Sequence, residues 1–184
     1  HRPAARRPDA PIGPALRLDL VRRELAQGAE TIAALVAGVS PDEAHRRPTP
    51  DAWSLLEVLC HLHDEEREDF RPRLDVVLHR PQEIWAPIDP AGWVTARRYH
   101  ERDLQEALRG FLAERERSLA WLGGLVAPEW GREYEASFGR ISAGDLLASW
   151  AAHDLLHTRQ LVELRRARLL TLTEPCRTQY AGDW

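Results

Sequence analysis

The chain has 184 residues, 43% hydrophobic and 29% charged, which suits one globular domain able to fold without disulfides or a structural metal. Its net charge of −4 argues against general nucleic-acid binding, and two cysteines support neither a disulfide framework nor a cysteine-rich zinc site. All 25 basic residues are Arg, and Lys, Met and Asn are absent, so a lysine Schiff base and an asparagine oxyanion donor are excluded and any chemistry falls to His, Asp, Glu and Arg.

Residues 1–14 read as a mobile arm rich in Arg and Pro, without the apolar stretch of a signal peptide. No apolar run approaches the roughly 18 residues of a membrane helix. A cytoplasmic location is expected, with Cys60 and Cys176 both reduced. The first helix is expected from Ala15 to Ala37, where Leu16, Leu20, Ile32, Leu35 and Val36 recur at helical spacing before Gly38 and Pro41. A polar loop follows, from Ser40 to Asp51. The second helix spans Ser54 to His79, with Pro72 expected to kink or split it. A Pro- and Trp-rich loop covers Pro81 to Trp93. The third helix runs from Arg97 to Leu122 and stops at Gly123-Gly124; another loop reaches Gly139. The fourth runs from Ala143 to Arg168, leaving residues 169–184 as a tail. No alternation of strand length stands out. The expected fold is all-α, a single-domain four-helix bundle over residues 15–168.

Two helix starts carry full capping signals. Ser54 is followed three residues later by Glu57, with Trp53 before the cap placed to staple onto Val58. Ser142 is followed by Asp145 in the same way. The spacing therefore reads Glu57 and Asp145 first as caps.

Four of the eight histidines fall inside helices: His61 and His63 in the second, His153 and His157 in the fourth. His153 and His157 are four apart, so both rings project from one face. They belong to the series Leu146, Trp150, His153, His157, Gln160, Leu164, a heptad seam whose other members are core residues. Polar side chains facing a core must be paired or bind something. Two readings stand: a core pair bonded to Tyr, Asp or backbone, or two imidazole ligands of one metal ion. A third ligand would come from His61 or His63, which point about 200° apart. Glu57, Asp64 and Glu65 lie at helical spacing from His61, and Asp64 could accept its second N–H. That favours His61 over His63. The alternative for Asp64 is a solvated face, since Asp64-Glu65-Glu66 is also a plain acidic run. Three imidazoles would leave a divalent ion one open position, the pattern of a catalytic site.

These residues resemble a known family. The stretch Pro50-Asp51-Ala52-Trp53-Ser54 through His61-Leu62-His63-Asp64 is similar to the second helix of the DinB/YfiT-like superfamily. So are Phe138-Gly139-Arg140-Ile141-Ser142, Asp145-Leu146-Leu147 and His153-Asp154-Leu155-Leu156-His157-Thr158-Arg159-Gln160. The resemblance covers about residues 15–168. It implies a four-helix bundle with one divalent metal on three histidines, which fall on His61, His153 and His157. It also implies relatives such as bacillithiol S-transferases, mycothiol-dependent maleylpyruvate isomerase and the amino-terminal part of ergothioneine-forming sulfoxide synthases. Zn or Ni is the expected ion, with Fe or Mn also compatible.

Three functions are expected from this reading. The first is transfer of a low-molecular-weight thiol to an electrophilic small molecule at the metal. The second is metal-dependent hydrolysis with an activated water. The third is a non-enzymatic, stress-associated binding protein, which the loop residues Trp85, Trp93 and Trp130 would suit. Glu57, Asp64 and Arg159 are the polar candidates for proton handling or carboxylate recognition. Their plainer readings are, in turn, a helix cap, a hydrogen-bond partner of a ligand and an exposed helix charge. A homodimer is compatible with the family; a nucleic-acid or membrane partner is not expected.

Overall fold

The computed structural model describes residues 16–184, so the arm read at residues 1–14 lies outside the described residues. In chain order the helices are α1 (Leu18–Val36), the single turn α2 (Pro41–Ala44), α3 (Leu55–Glu65), α4 (Arg71–His79), α5 (Pro90–Ala96), α6 (Leu104–Gly123) and α7 (Ala143–Thr173). A π-helical turn at Glu66–Phe70 joins α3 to α4 without a break. The run α3–α4 therefore acts as one long element, and with α1, α6 and α7 it makes the four-helix bundle. Among the described residues no helix is long and apolar enough to cross a membrane.

The capping signals act as their spacing predicts. The Ser54 hydroxyl accepts from the Glu57 amide while the Glu57 carboxylate accepts from the Ser54 amide at 2.8 Å. Ser142 and Asp145 form the same reciprocal pair at the start of α7. A third box, Ser40 with Glu43, opens α2 inside the segment read as loop.

The elements depart from the expected ones in several places: α1 starts at Leu18 rather than Ala15, and α5 forms where the Pro- and Trp-rich loop is expected. At Pro72 the α-helical bonding of the second helix is interrupted, as its ring requires, but the helix does not end. The proline ring and missing N–H conflict with α-helical bonding to the preceding turn, and the wider π turn directly before it accommodates both. The third helix starts at Leu104 rather than Arg97. Arg98 is left-handed at φ 51°, and the Asp103 side chain caps the new start by accepting from the Glu106 amide at 2.8 Å. The fourth helix continues to Thr173, five residues into the segment read as tail. Lastly, the loop before it contains an antiparallel hairpin, β1 (Glu133–Ala136) with β2 (Gly139–Ser142). Four-residue strands are too short to show a period of two. Gly139 carries the turn at φ 119°, a conformation that disfavours a side chain. Ser142 ends β2 and caps α7 at once, so the hairpin fixes where the site-bearing helix begins.

The interior has two apolar clusters separated by a polar layer. One holds Ile32, Leu56, Leu59, Tyr99, Phe111 and Leu161; the other holds Leu25, Leu74, Val77, Leu122, Leu147 and Trp150. Between them lie His61, Asp64, Glu65, Glu66, Arg115, Asp154 and His157, all buried. Arg115 ties this layer together. Its guanidinium binds Glu66 at 2.8 and 2.9 Å, Asp154 at 2.6 and 2.8 Å, and the Leu25 carbonyl at 2.6 Å. Trp150 Nε1 donates to Glu66 at 2.8 Å. One side chain of α6 thus joins α1, the π turn and α7.

Replacing Arg115 with Met would leave two buried carboxylates without their cation. Urea unfolding should show a loss of about 3–5 kcal/mol. A change below about 1 kcal/mol would mean that the network contributes little to the fold.

Candidate metal centre

α3 and α7 place three imidazoles at one point. His61 projects from the last turns of α3, and His153 and His157 project from one face of α7. Nε2 of His157 lies 3.2 Å from Nε2 of His61 and 3.0 Å from Nε2 of His153. Two imidazole ligands of a tetrahedral zinc ion lie about 3.3 Å apart, given Zn–N distances near 2.0–2.1 Å. Those two separations are close to that spacing, all three donors lie within 4.8 Å of one another, and they form the one such group of three among the described residues. The Trp53 ring, 4.9 Å from that of His61, and the Phe70 ring, 5.0 Å from that of His153, wall the cluster.

The protonation states suit a cation. Burial pushes the pKa of His61 down to about 4 against the pull of Glu65, and it pushes His157 to about 4 with His153 and His61 adding to the effect. Both are neutral at pH 7, the form that binds metal. The Gln160 side-chain oxygen meets Nδ1 of His157 at 2.7 Å. An amide oxygen only accepts, so with this amide orientation Nδ1 carries the proton and the Nε2 lone pair faces the cluster. Nδ1 of His61 is buried with no hydrogen-bond partner.

The structure separates the two histidines of α3. His63 packs against Gly110 of α6, so close that a β-carbon there would stand 2.6 Å from its ring. It lies apart from the cluster. Glu57 is fully buried and held by its capping box and by Arg47. Burial alone would raise its pKa, but Arg47 and the Ser54 amide outweigh it and hold the carboxyl low. Asp64 does not take the second N–H of His61. Its oxygens are engaged by the Tyr99 hydroxyl at 2.7 Å, Arg97 at 2.7 Å and Arg67 at 3.1 Å. Arg159 is exposed on α7. None of these three candidates is brought to the cluster by a direct contact.

Glu65 is brought there instead. This buried carboxylate places Oε2 2.7 Å from Nε2 of His153 and 3.4 Å from Nε2 of His61. Burial would raise its pKa, but the hydrogen bond from His153 and the other imidazoles hold it below the usual value. Its sequence signal was its position four residues after His61, hidden because it is the middle of three consecutive acids. A cleft of ≈ 570 Å³ lined by Trp53, His157 and Gln160 opens the cluster to solvent.

The sequence profile of the DinB superfamily matches residues 24–161, most of the chain. The chain belongs to the DinB superfamily. Among solved structures it is similar to YfiT from Bacillus subtilis, with a TM-score of 0.74 and 17% identity over 86% of this chain and 92% of that one. YfiT is described as "a probable metal-dependent hydrolase with an unusual four-helix bundle topology". At this identity the likeness speaks for the fold. No curated protein sequence matches the chain. The DinB bundle explains why the donors come from α3 and α7: in this chain those two helices meet at the polar layer.

Two measurements check the cluster. The DinB-type protein loaded with Zn or Ni and then dialysed should retain one ion per chain by elemental analysis. His153→Ala should lose at least nine-tenths of it, and His63→Ala should keep it. Equal retention in His153→Ala would place the ion elsewhere. The second is pH dependence of the metal-free form. An unfolded imidazole titrates near 6.5, above the folded value of about 4 for His61 and His157. Their contribution to stability is complete above about pH 6.5, falls with pH and is gone below about 4. Thermal melts should show that decline, and it should flatten in His61→Gln/His157→Gln.

Proposed function

We propose that this DinB protein is a metal-dependent hydrolase of small molecules. His61, His153 and His157 hold one divalent ion, and Glu65 takes the proton of the attacking water. The observation that carries this reading is the Glu65 Oε2 atom beside two of the three converging nitrogens. A bound divalent ion supplies Lewis acidity and lowers the pKa of coordinated water toward about 7. The residues supply the rest. Two imidazoles held neutral by burial present their nitrogens without first losing a proton. Gln160 fixes the tautomer of His157. Glu65, ionised and buried, accepts a proton at Oε2 and is placed to return it to a leaving group. Trp53 and Phe70 limit water at the reacting centre, and the cleft at His157 and Gln160 admits the substrate. The donor set of three imidazoles fits Zn or Ni, with Fe or Mn also compatible. The description of YfiT as "a probable metal-dependent hydrolase" supports the choice of water as nucleophile.

Thiol transfer at the same ion is the second reading, and it rests on the resemblance to a superfamily that includes thiol S-transferases. A thiol titrates near 8.5 and needs less help than water to lose its proton at an ion. The paired carboxylate therefore favours water. The three tryptophans that suited the binding-protein reading are engaged within the fold. Trp85 stacks on Tyr134 at 4.2 Å, Trp93 is buried beneath Arg97, and Trp130 packs against the second apolar cluster.

A panel of activated esters and amides should be hydrolysed by the metal-loaded protein without added thiol. Glu65→Gln should lower kcat about 10²- to 10⁴-fold while the ion stays bound. Strict dependence on an added low-molecular-weight thiol would replace the hydrolytic reading with thiol transfer. Unchanged kcat in Glu65→Gln would remove the base.

A further inference from the structure

The α7 seam does not end at the cluster. Beyond His157 and Gln160 it continues through Leu164 and Ala167 to a second cleft, of ≈ 450 Å³. The two clefts share Pro48, Leu164 and Ala167 as walls, so one groove runs from the histidines along α7. Four guanidiniums line its far end: Arg46, Arg47, Arg165 and Arg168. Arg47 pairs with Glu57 and Arg168 with Glu43. Arg46 and Arg165 have no salt-bridge partner among the described residues. Four guanidiniums against those two carboxylates leave an excess of two positive charges. Nη1 of Arg165 and Nε of Arg168 are buried and make no hydrogen bond, although both guanidiniums feel the Glu43 carboxylate. A buried donor without an acceptor is destabilising, more so on a charged group, and such groups mark places where a partner belongs.

The remainder of the wall decides the class of ligand. Val39, Leu55, Leu164 and Leu172 make it apolar beside the guanidiniums. A bare inorganic anion would leave that surface uncovered. A guanidinium fork matches a carboxylate in plane and spacing, and the apolar wall matches a hydrocarbon body. Arg165 follows His157 by eight residues, about 12 Å along the helix axis.

We propose that this cleft binds the carboxylate of a small organic acid, through Arg165 and Arg46, while the apolar body lies along Leu164. Resting on the hydrolytic reading above, the substrate is an organic acid whose carboxylate and scissile bond lie on the order of 10 Å apart. The groove then works as an anchor, since binding energy gained far from the reacting bond orients it at the ion.

Calorimetric titration of the metal-free protein with hexanoate at low salt tests this without any activity. Saturable binding with one hexanoate per chain is expected. It should weaken at least tenfold in Arg165→Gln. Arg46→Gln should do the same, and because Arg46 is exposed that variant keeps the core intact. Affinity should be unchanged in Arg140→Gln, an exposed arginine on β2, and in His153→Ala. No saturable binding, or equal weakening in Arg140→Gln, would overturn the site. Inorganic phosphate binding more tightly than hexanoate would overturn the organic-acid class. Hexanoate binding retained in a protein that hydrolyses nothing would contradict the hydrolytic reading and leave the anion site standing. Hydrolysis dependent on Glu65 but with no hexanoate binding would do the reverse.

Discussion

Arg115 lies at the centre of the bundle between two buried carboxylates, Glu66 and Asp154, and is the cation with which both pair. Its consequence for the site lies one residue away on each helix. Glu66 is next to Glu65, and Asp154 is next to His153. Neighbours on a helix point about 100° apart, so when Glu66 and Asp154 turn to Arg115, Glu65 and His153 turn to the cluster. The pair that meets at 2.7 Å is therefore set by the pair that the guanidinium clamps. Gly28 completes the arrangement, since a β-carbon there would stand 2.4 Å from Oδ2 of Asp154. α1 must come close enough for its Leu25 carbonyl to accept from Arg115.

This rigidity matters because the site sits in a polar layer between two apolar clusters. Interior polar groups are tolerated when each has a partner, and here nearly every one does. Glu66 and Asp154 have Arg115, Asp64 has Tyr99 and Arg97, and Glu57 has Arg47. The imidazoles differ. His61 and His157 direct nitrogens at one another while burial keeps both neutral, so the cluster holds more lone pairs than protons to share. A cation resolves that imbalance. Preorganisation by the clamp lowers the entropic cost of assembling such a site.

Much of this was legible in the chain. Caps at Ser54 and Ser142 are local hydrogen-bond patterns, so sequence spacing reports them directly. The seam through His153, His157 and Gln160 is also local, because one helix carries all three. What was hidden depends on distant partners. Asp64-Glu65-Glu66 looks like a solvated charge run, yet all three are buried and each has its own partners: Tyr99 and Arg97, then His153, then Arg115 and Trp150. No spacing rule could divide them. The hairpin escaped because its strands are four residues long. The π turn escaped because Pro72 announces a disturbance without saying how the backbone absorbs it.

X-ray absorption spectroscopy of the zinc- or nickel-loaded protein tests the central claim most directly, because it reads the donor atoms themselves. The account predicts a first shell of nitrogen and oxygen only, with three imidazole scatterers at about 2.0–2.1 Å. It also predicts the loss of at least one imidazole in His157→Ala. A sulfur donor from Cys60 or Cys176, or a shell with fewer than two imidazoles in the unsubstituted protein, would contradict it.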